Sequence, residues 1–395
     1  MAGATAGIVR PKRPPPWNDP RVRGIIFQVL FVAAVLGIGA FLVHNTLVNL
    51  HRQNIATGFG FLGREAAFGI GESLIEYAPS DTYARAFLVG LTNTLYVAAL
   101  GIVLATIVGT VMGLARLSGN WLVRKLAQVY VETFRNIPLA LQLFFWWGLL
   151  RQGAPAPRQA WHLLPGVLVS NRGIVFPVPQ PSPVYGWMGL ALLIGVAATW
   201  AVRRWATQRQ ARTGAPFPTG WAGVALIAGL PLAVFAAAGA PLHLDMPELH
   251  GFNFSGGTSL SPEFGALLIG LVVYTGTFIA EIVRAGILAV SWGQSEAAMA
   301  LGLSQGQRMR LIVLPQALRV IIPPMTSQYL NLTKNSSLAV IIGYPDLVSV
   351  ANTTMNQTGQ AIEGITLIMA VYLTISLTIS ASMNLYNRAV ALVER

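Results

Sequence analysis

The chain has no cysteine, so it has no disulfide framework, thiolate nucleophile or cysteine zinc site. Lysine is scarce: Lys12, Lys125 and Lys334 are the only three, and none follows a glycine in a phosphate-cradling loop, which excludes a P-loop nucleotide site. Neither a serine-nucleophile elbow nor a His-Glu-x-x-His zinc helix occurs, so no catalytic constellation emerges. Charge of either sign is sparse. Only 10% of the 395 residues are charged, against about 25% in ordinary soluble domains. Hydrophobic residues make up 54%, and the mean hydropathy is +0.59. A disordered chain is excluded and a soluble globular fold disfavoured; apolar runs of about 20 residues would make this an all-α polytopic membrane protein.

Eight such runs are found: Ile25–Val43, Phe87–Leu114, Ile137–Leu150, Val184–Val202, Trp221–Ala240, Phe264–Val283, Val320–Ile342 and Ile365–Tyr386. The third is short. The seventh is interrupted by Asn331, Thr333, Lys334, Asn335, Ser336 and Ser337. The first follows a basic start and lacks a small-x-small cleavage site after Val43, so it reads as an uncleaved anchor. With both termini cytoplasmic, the inner segments hold 19 Lys/Arg and the outer segments six. Basic residues are retained on the cytoplasmic side of membrane proteins. That bias accounts for the net charge of +12 without a nucleic-acid partner. In the second span Gly101, Ala105, Gly109 and Gly113 recur every four residues, a small-residue face for close helix packing.

One inner segment, about 291–315, differs from the other loops. Ser295 reads as the N-cap of a short helix, with Glu296 at its positive end. Ala297, Ala298, Met299 and Leu301 continue that helix, and Gly302 allows the chain to turn. Ser304 with Gln307 reads as a capping box for a second helix, which Pro315 kinks. Such a helix outside the bilayer offers small and apolar side chains to a groove on a soluble partner; a plain amphipathic surface helix is the bland alternative.

Glu296-Ala297-Ala298, Gly302, Ile312 and Leu314-Pro315 reproduce, without a spacing error, the signature of the EAA loop of ABC importer permeases, and the segment resembles that loop. Gly90-Leu-Thr-Asn93-Thr94-Leu95, Phe134-Arg135-Asn136-Ile137-Pro138-Leu139 with Gln142, Ala280-Glu281-Ile282-Val283-Arg284 and Lys334-Asn335-Ser336-Ser337-Leu338 resemble the subgroup that carries polar amino acids. The extra length looks most like the longer permease of general L-amino acid or glutamate/glutamine/aspartate/asparagine systems. The resemblance implies a type I importer permease core of five helices, divided between 87–150 and 263–390. The added parts are a basic cytoplasmic tail over 1–24, a helix and periplasmic loop over 25–86, and an inserted helix pair over 151–262 whose inner linker, 208–220, looks flexible. A short cytoplasmic tail, 391–395, follows.

The resemblance also implies partners: a cytoplasmic ATPase homodimer gripping Glu296, Ala297, Ala298, Leu301 and Gly302, a second and related permease, and a periplasmic amino-acid-binding protein. It places the chain in a bacterial inner membrane. No cofactor belongs to this chain; ATP and Mg are bound by the ATPase. Lys334 costs about 2.5–3.5 kcal/mol within a span and therefore marks a substrate pathway or a structural pairing. Asn331, Asn335, Ser336, Ser337, Asn93, Thr94 and Gln142 are the other pathway candidates. Glu281 and Arg284, three apart on one helix face, read as a structural ion pair. His243, Asp245, Glu248 and His250 read as a solvated loop and not a metal site, since no helical spacing joins them. The rival reading is an ion-coupled secondary transporter or channel, for which Glu281 is the one good intramembrane carboxylate.

Overall fold

A computed structural model describes residues 20–52, 57–251 and 253–390. Most of the tail expected over 1–24, and all of that over 391–395, lies outside the described residues. Among the described residues twelve α-helices dominate: α1 (Pro20–Arg52), α2 (Tyr83–Ala115), α3 (Trp121–Asn136), α4 (Leu139–Gly153), α5 (Pro183–Thr213), α6 (Thr219–Ala237), α7 (Pro262–Leu288), α8 (Trp292–Ala300), α9 (Gln305–Arg308), α10 (Leu314–Asn335), α11 (Leu347–Thr358) and α12 (Ala361–Val390). Among the described residues six helices are long and apolar enough to cross a membrane. The segments Gln305–Ile342 and Leu347–Thr358, bent by 52° from one another, make a seventh if taken as one broken span.

The third expected run, Ile137–Leu150, is not among them. Its helix, α4, has 15 residues, about 22 Å against a hydrocarbon core of about 30 Å. The preceding stretch is not an open loop either. It forms α3, capped by Asn120, whose side chain accepts from Leu122 N at 2.9 Å. α3 crosses α7 near its midpoint, where the Tyr130 hydroxyl donates to the Val273 carbonyl at 2.8 Å. The two helices break at Ile137–Pro138, since proline has no N–H and forces its predecessor out of helical geometry.

The core is organised around α7, which is the most enclosed of the long helices. Ser261 caps its start, accepting from Phe264 N at 3.0 Å, with Pro262 and Glu263 in the first turn. α2, α3, α4 and α10 pack around it. The small-residue face of α2 is the contact that the spacing predicts: Gly101 lies against Leu332, Gly109 against Ile279 and Gly113 against the Ala280 carbonyl. A Cβ at Gly109 would sit 2.5 Å from Ile279 Cβ and 2.8 Å from the Gly276 carbonyl oxygen. A second cluster joins Phe61, Ala66, Tyr83 and Phe87 to Leu347 and Val350, binding the 57–82 segment to α2 and α11.

The inserted region departs from an all-α reading. α5 and α6 pack chiefly on one another. Short strands adjoin their ends: β1 (Trp161–Leu164), β2 (Val167–Ser170), β3 (Gly173–Phe176), β4 (Val178–Pro179), β5 (Leu244–Asp245), β6 (Glu248–His250), β7 (Asn253–Ser255) and β8 (Thr258–Leu260). The largest sheet is antiparallel in the order β1-β2-β3-β8. Pro165-Gly166 turns β1 into β2, with Gly166 at φ +77°. The 208–220 linker is also more ordered than expected, because α5 continues to Thr213 before Gly214 ends it in a left-handed conformation.

Candidate functional site

The segment with the permease-like signature forms two short helices and a wide helical turn at one end of the bundle. α8 starts earlier than the sequence suggests. Ser291 occupies the N-cap position, and Ser295 is buried inside the helix. Ser295 and Ala298, three apart, point inward. Glu296, Ala297 and Met299 point outward, and beyond them Leu301 is 81% exposed. Trp292 is 67% exposed on the same short helix. Gly302, at φ +74°, ends it, with Gly302 N donating to the Met299 carbonyl at 2.9 Å and Leu303 N to the Ala298 carbonyl at 3.1 Å. The capping box forms as expected: Ser304 N donates to Gln307 Oε1 at 2.9 Å, and Gln307 N to Ser304 Oγ at 3.4 Å. A π turn over Met309–Val313 then precedes Pro315, widening the helix where the proline cannot donate. Gln316 Nε2 donates to Gln294 Oε1 at 3.4 Å, tying α10 back to α8.

Only Ala289, Val290 and Ser291 separate α7 from α8. Just before that link Glu281 pairs with Arg284, as expected, and also with Arg116 at the end of α2. The third member was not visible in the sequence, because it lies on another helix. The trio joins α2 to α7 on the α8 side of the bundle.

The polar residues expected along a pathway separate into two groups. Asn93, Thr94 and Gln142 are buried, and their donor groups are taken up by backbone carbonyls, while Asn93 Oδ1 and Gln142 Oε1 have no protein partner among the described residues. Asn93 Nδ2 donates to the Glu72 carbonyl at 2.8 Å and to the Pro345 carbonyl at 2.9 Å. Thr94 Oγ1 donates to the Gly90 carbonyl at 2.9 Å and accepts from Leu347 N at 3.0 Å. Together they seat the start of α11 on α2. Gln142 Nε2 donates to the Phe134 and Ile137 carbonyls at 2.8 and 3.0 Å, satisfying groups that the α3–α4 break leaves without helical partners. Ser336 and Ser337 donate to the Thr333 and Lys334 carbonyls, each at 2.7 Å, in the tight turn that follows α10.

Asn331 and Asn335 remain available. With Gln328 they recur at i, i+3 and i+7 on α10, facing Tyr274, Thr275 and Phe278 of α7 across a cavity of about 320 Å³. Gln328 was not among the expected pathway residues, although its i, i+3, i+7 spacing with Asn331 and Asn335 is legible in the sequence. Arg135 holds its guanidinium 5.2 Å from the Phe278 ring centroid. Lys334 is exposed, one residue from this wall, and forms no ion pair among the described residues.

A second polar cavity, about 340 Å³, lies at the opposite end of α7, between Glu72, Ser261, Glu263, Pro345 and Ser349. Burial pushes the Glu72 carboxyl above the usual carboxylate range; a hydrogen bond from the Ser261 hydroxyl opposes the shift and the nearby Glu263 charge adds to it. Glu263 itself accepts from Trp147 Nε1 at 3.0 Å and from Arg151 at 3.1 Å. In the histidine-containing segment 243–250, Asp245 accepts from Gly257 N at 2.8 Å and serves that turn, while Glu248 and His250 are exposed and 3.8 Å apart.

Comparison with known proteins agrees with this geometry. Residues 101–392 match the family described as binding-protein-dependent transport system inner membrane component. A putative amino-acid ABC transporter permease protein, YhdX of Escherichia coli, is 52% identical over 378 residues, covering 95% of this chain and 96% of its own. The general L-amino acid transport system permease protein AapQ of Rhizobium johnstonii is 52% identical over 377 residues, covering 95% and 94%. The glutamate/glutamine/aspartate/asparagine transport system permease protein BztB of Rhodobacter capsulatus is 42% identical over 409 aligned positions, covering 95% and 96%. A chain built on apolar helices, with an exposed short helix at the signature, thus belongs to the binding-protein-dependent inner membrane transport family, as a permease of the amino-acid ABC transporter group.

Proposed function

We propose that this chain imports polar L-amino acids in a bacterial inner membrane by converting closure of a separate cytoplasmic ATPase into alternating access. The observation that carries the reading is α8, a helix that buries Ser295 and Ala298 and leaves Trp292, Glu296, Ala297, Met299 and Leu301 outward, in a chain with no nucleotide loop of its own. An ATPase groove closing on that face supplies the differential contact that shifts the permease between its states. ATP and Mg belong to the ATPase, and both termini lie on its side of the membrane.

A second, related permease completes the pathway, because one core encloses no channel. Asn331 and Asn335, with Gln328, present amide groups suited to the polar ends of an amino acid, and Lys334 biases the neighbourhood toward carboxylates. A binding protein delivers substrate at the opposite end of α7. The substrates named for the relatives, general L-amino acids and glutamate, glutamine, aspartate and asparagine, define the class to assay.

The test is reconstitution of the full complex in proteoliposomes. Uptake of labelled glutamate and glutamine is expected only with ATP, ATPase and binding protein together, and an uptake driven by an ion gradient alone would instead favour a secondary transporter. Asn331→Leu with Asn335→Leu is expected to slow uptake while leaving complex assembly intact. Lys334→Ala is expected to reduce the preference for glutamate over glutamine; unchanged rate and preference would remove Lys334 from the pathway.

A further inference from the structure

α5 is too long for the membrane that its partner crosses. It has 31 residues against 19 in α6, about 46 Å against about 28 Å. Their packing fixes the register: Gly195 lies against the Leu226 carbonyl and Gly223 against Thr199. Antiparallel pairing at those positions sets Thr219, the first residue of α6, level with residue 203 of α5. The last turns of α5, 204–213, therefore project beyond α6 and, on the hydrocarbon thickness of about 30 Å, beyond the apolar layer.

The projecting end is basic and aromatic. Arg203, Arg204, Arg209 and Arg212 are all exposed and form no ion pair among the described residues. Among the described residues three other arginines do have carboxylates: Arg116 and Arg284 share Glu281, and Arg151 meets Glu263. Here none is at hand, since no acidic residue occurs in the sequence between Glu132 and Asp245. Two guanidinium groups are held in place by stacking, Arg204 5.4 Å over the Trp200 ring and Arg209 5.4 Å over Trp205. Trp205 in turn meets Phe217 edge to face at 5.4 Å, which braces the chain between the two helices. Tryptophan favours the headgroup level of a bilayer, and a stacked guanidinium keeps its planar fork of donors free for a phosphate.

We propose that the projecting end of α5 is a binding surface for the phosphate groups of anionic phospholipids, with Arg203, Arg204, Arg209 and Arg212 as donors and Trp200 and Trp205 setting their depth. Charge complementarity selects this occupant: four uncompensated cations at the headgroup level face a surface that carries negative phosphates. The surface lies on the inserted pair, outside the helices that surround α7, so its role is to anchor that pair in the leaflet and it does not depend on the transport reading.

The test uses the purified full chain in mixed micelles of dioleoylphosphatidylglycerol and dioleoylphosphatidylcholine, with bound lipid quantified by mass spectrometry. The parent is expected to retain phosphatidylglycerol over phosphatidylcholine. At about fivefold per juxtamembrane arginine, Arg204→Gln with Arg209→Gln is expected to lower that preference roughly twentyfold, and replacing all four to abolish it. Sidedness is read separately in sealed proteoliposomes of the same two lipids, by labelling Ala215→Cys with a membrane-impermeant maleimide, which the cysteine-free chain allows. An unchanged preference in the double variant, with the label still on its original side, overturns the proposal. So does a duplex DNA oligonucleotide that displaces phosphatidylglycerol at equal phosphate concentration, because the surface would then be a general polyanion site.

Discussion

Leu301 gives the sharpest test of α8 as a docking element. It is 81% exposed, so little of its side chain contributes to the folding of this chain. If the ATPase groove covers it, Leu301→Ala removes the equivalent of three CH2 groups from a buried contact. At about 0.8 kcal/mol each that is about 2.4 kcal/mol. A tenfold change corresponds to about 1.4 kcal/mol, so assembly with the ATPase is expected to weaken roughly fiftyfold. The thermal midpoint of the isolated permease in detergent is expected to stay unchanged. Ala298→Leu is the mirror experiment, because Ala298 is buried on the opposite face of α8. Overpacking there is expected to cost about 1–3 kcal/mol of the chain's own stability. The assay is titration of ATPase into the purified permease, read by stimulated ATP hydrolysis and co-elution. A Leu301→Ala permease that assembles and stimulates hydrolysis like the parent would refute the assignment of this face to the motor.

Three further predictions follow from packing and charge. Gln142→Leu leaves the Phe134 and Ile137 carbonyls without their side-chain donor and is expected to destabilise the chain by about 1–3 kcal/mol; a thermal midpoint equal to the parent's would mean that the break is satisfied in another way. Gly109→Ala drives a Cβ into Ile279 and the Gly276 carbonyl, with an expected cost of about 1–3 kcal/mol, and Ile279→Ala in the same chain is expected to restore part of it. Glu72 has a carboxyl pKa raised by burial, so the folded state binds more protons than the unfolded one above the ordinary value of 4.5. Stability from this group is fully present below that pH and falls as pH rises through the raised value. Glu72→Gln is expected to flatten the pH dependence of unfolding in that window, and an unaltered profile would show that the carboxyl is not desolvated.

Legibility in the sequence followed the strength of local periodicity. α2, α5, α6, α7 and α12 announced themselves as long apolar runs, and their observed ends lie within a few residues of the expected ones, apart from the far end of α5. The capping box at Ser304 and the turn at Gly302 were readable because each depends on one or two side chains close in sequence. α3 was missed because its apolar residues are interrupted by charge: Ala127 and Val131 are buried and Tyr130 meets α7, while Arg124, Lys125, Gln128, Glu132 and Arg135 made the stretch read as a loop. The strands were missed because they span two to four residues, although Pro165-Gly166 between two apolar runs was a usable turn signal. Asn93, Thr94 and Gln142 show a deeper limit. A polar residue in an apolar run must find a partner, but whether that partner is a passing solute or a carbonyl from a segment 250 residues away is settled only by the fold. Here Asn93 Nδ2 donates to the Pro345 carbonyl, 252 positions on.

The connection between α7 and α8 is three residues long, and it leaves no slack. α7 measures about 40 Å from end to end, so it behaves as a rigid lever with α8 welded to its tip. A tilt of roughly 10° sweeps such a lever's far end through about 7 Å by simple geometry on that length. Tyr274, Thr275 and Phe278 lie midway along the lever, so about half of that sweep, roughly 3.5 Å, reaches the wall of the cavity that α7 shares with α10.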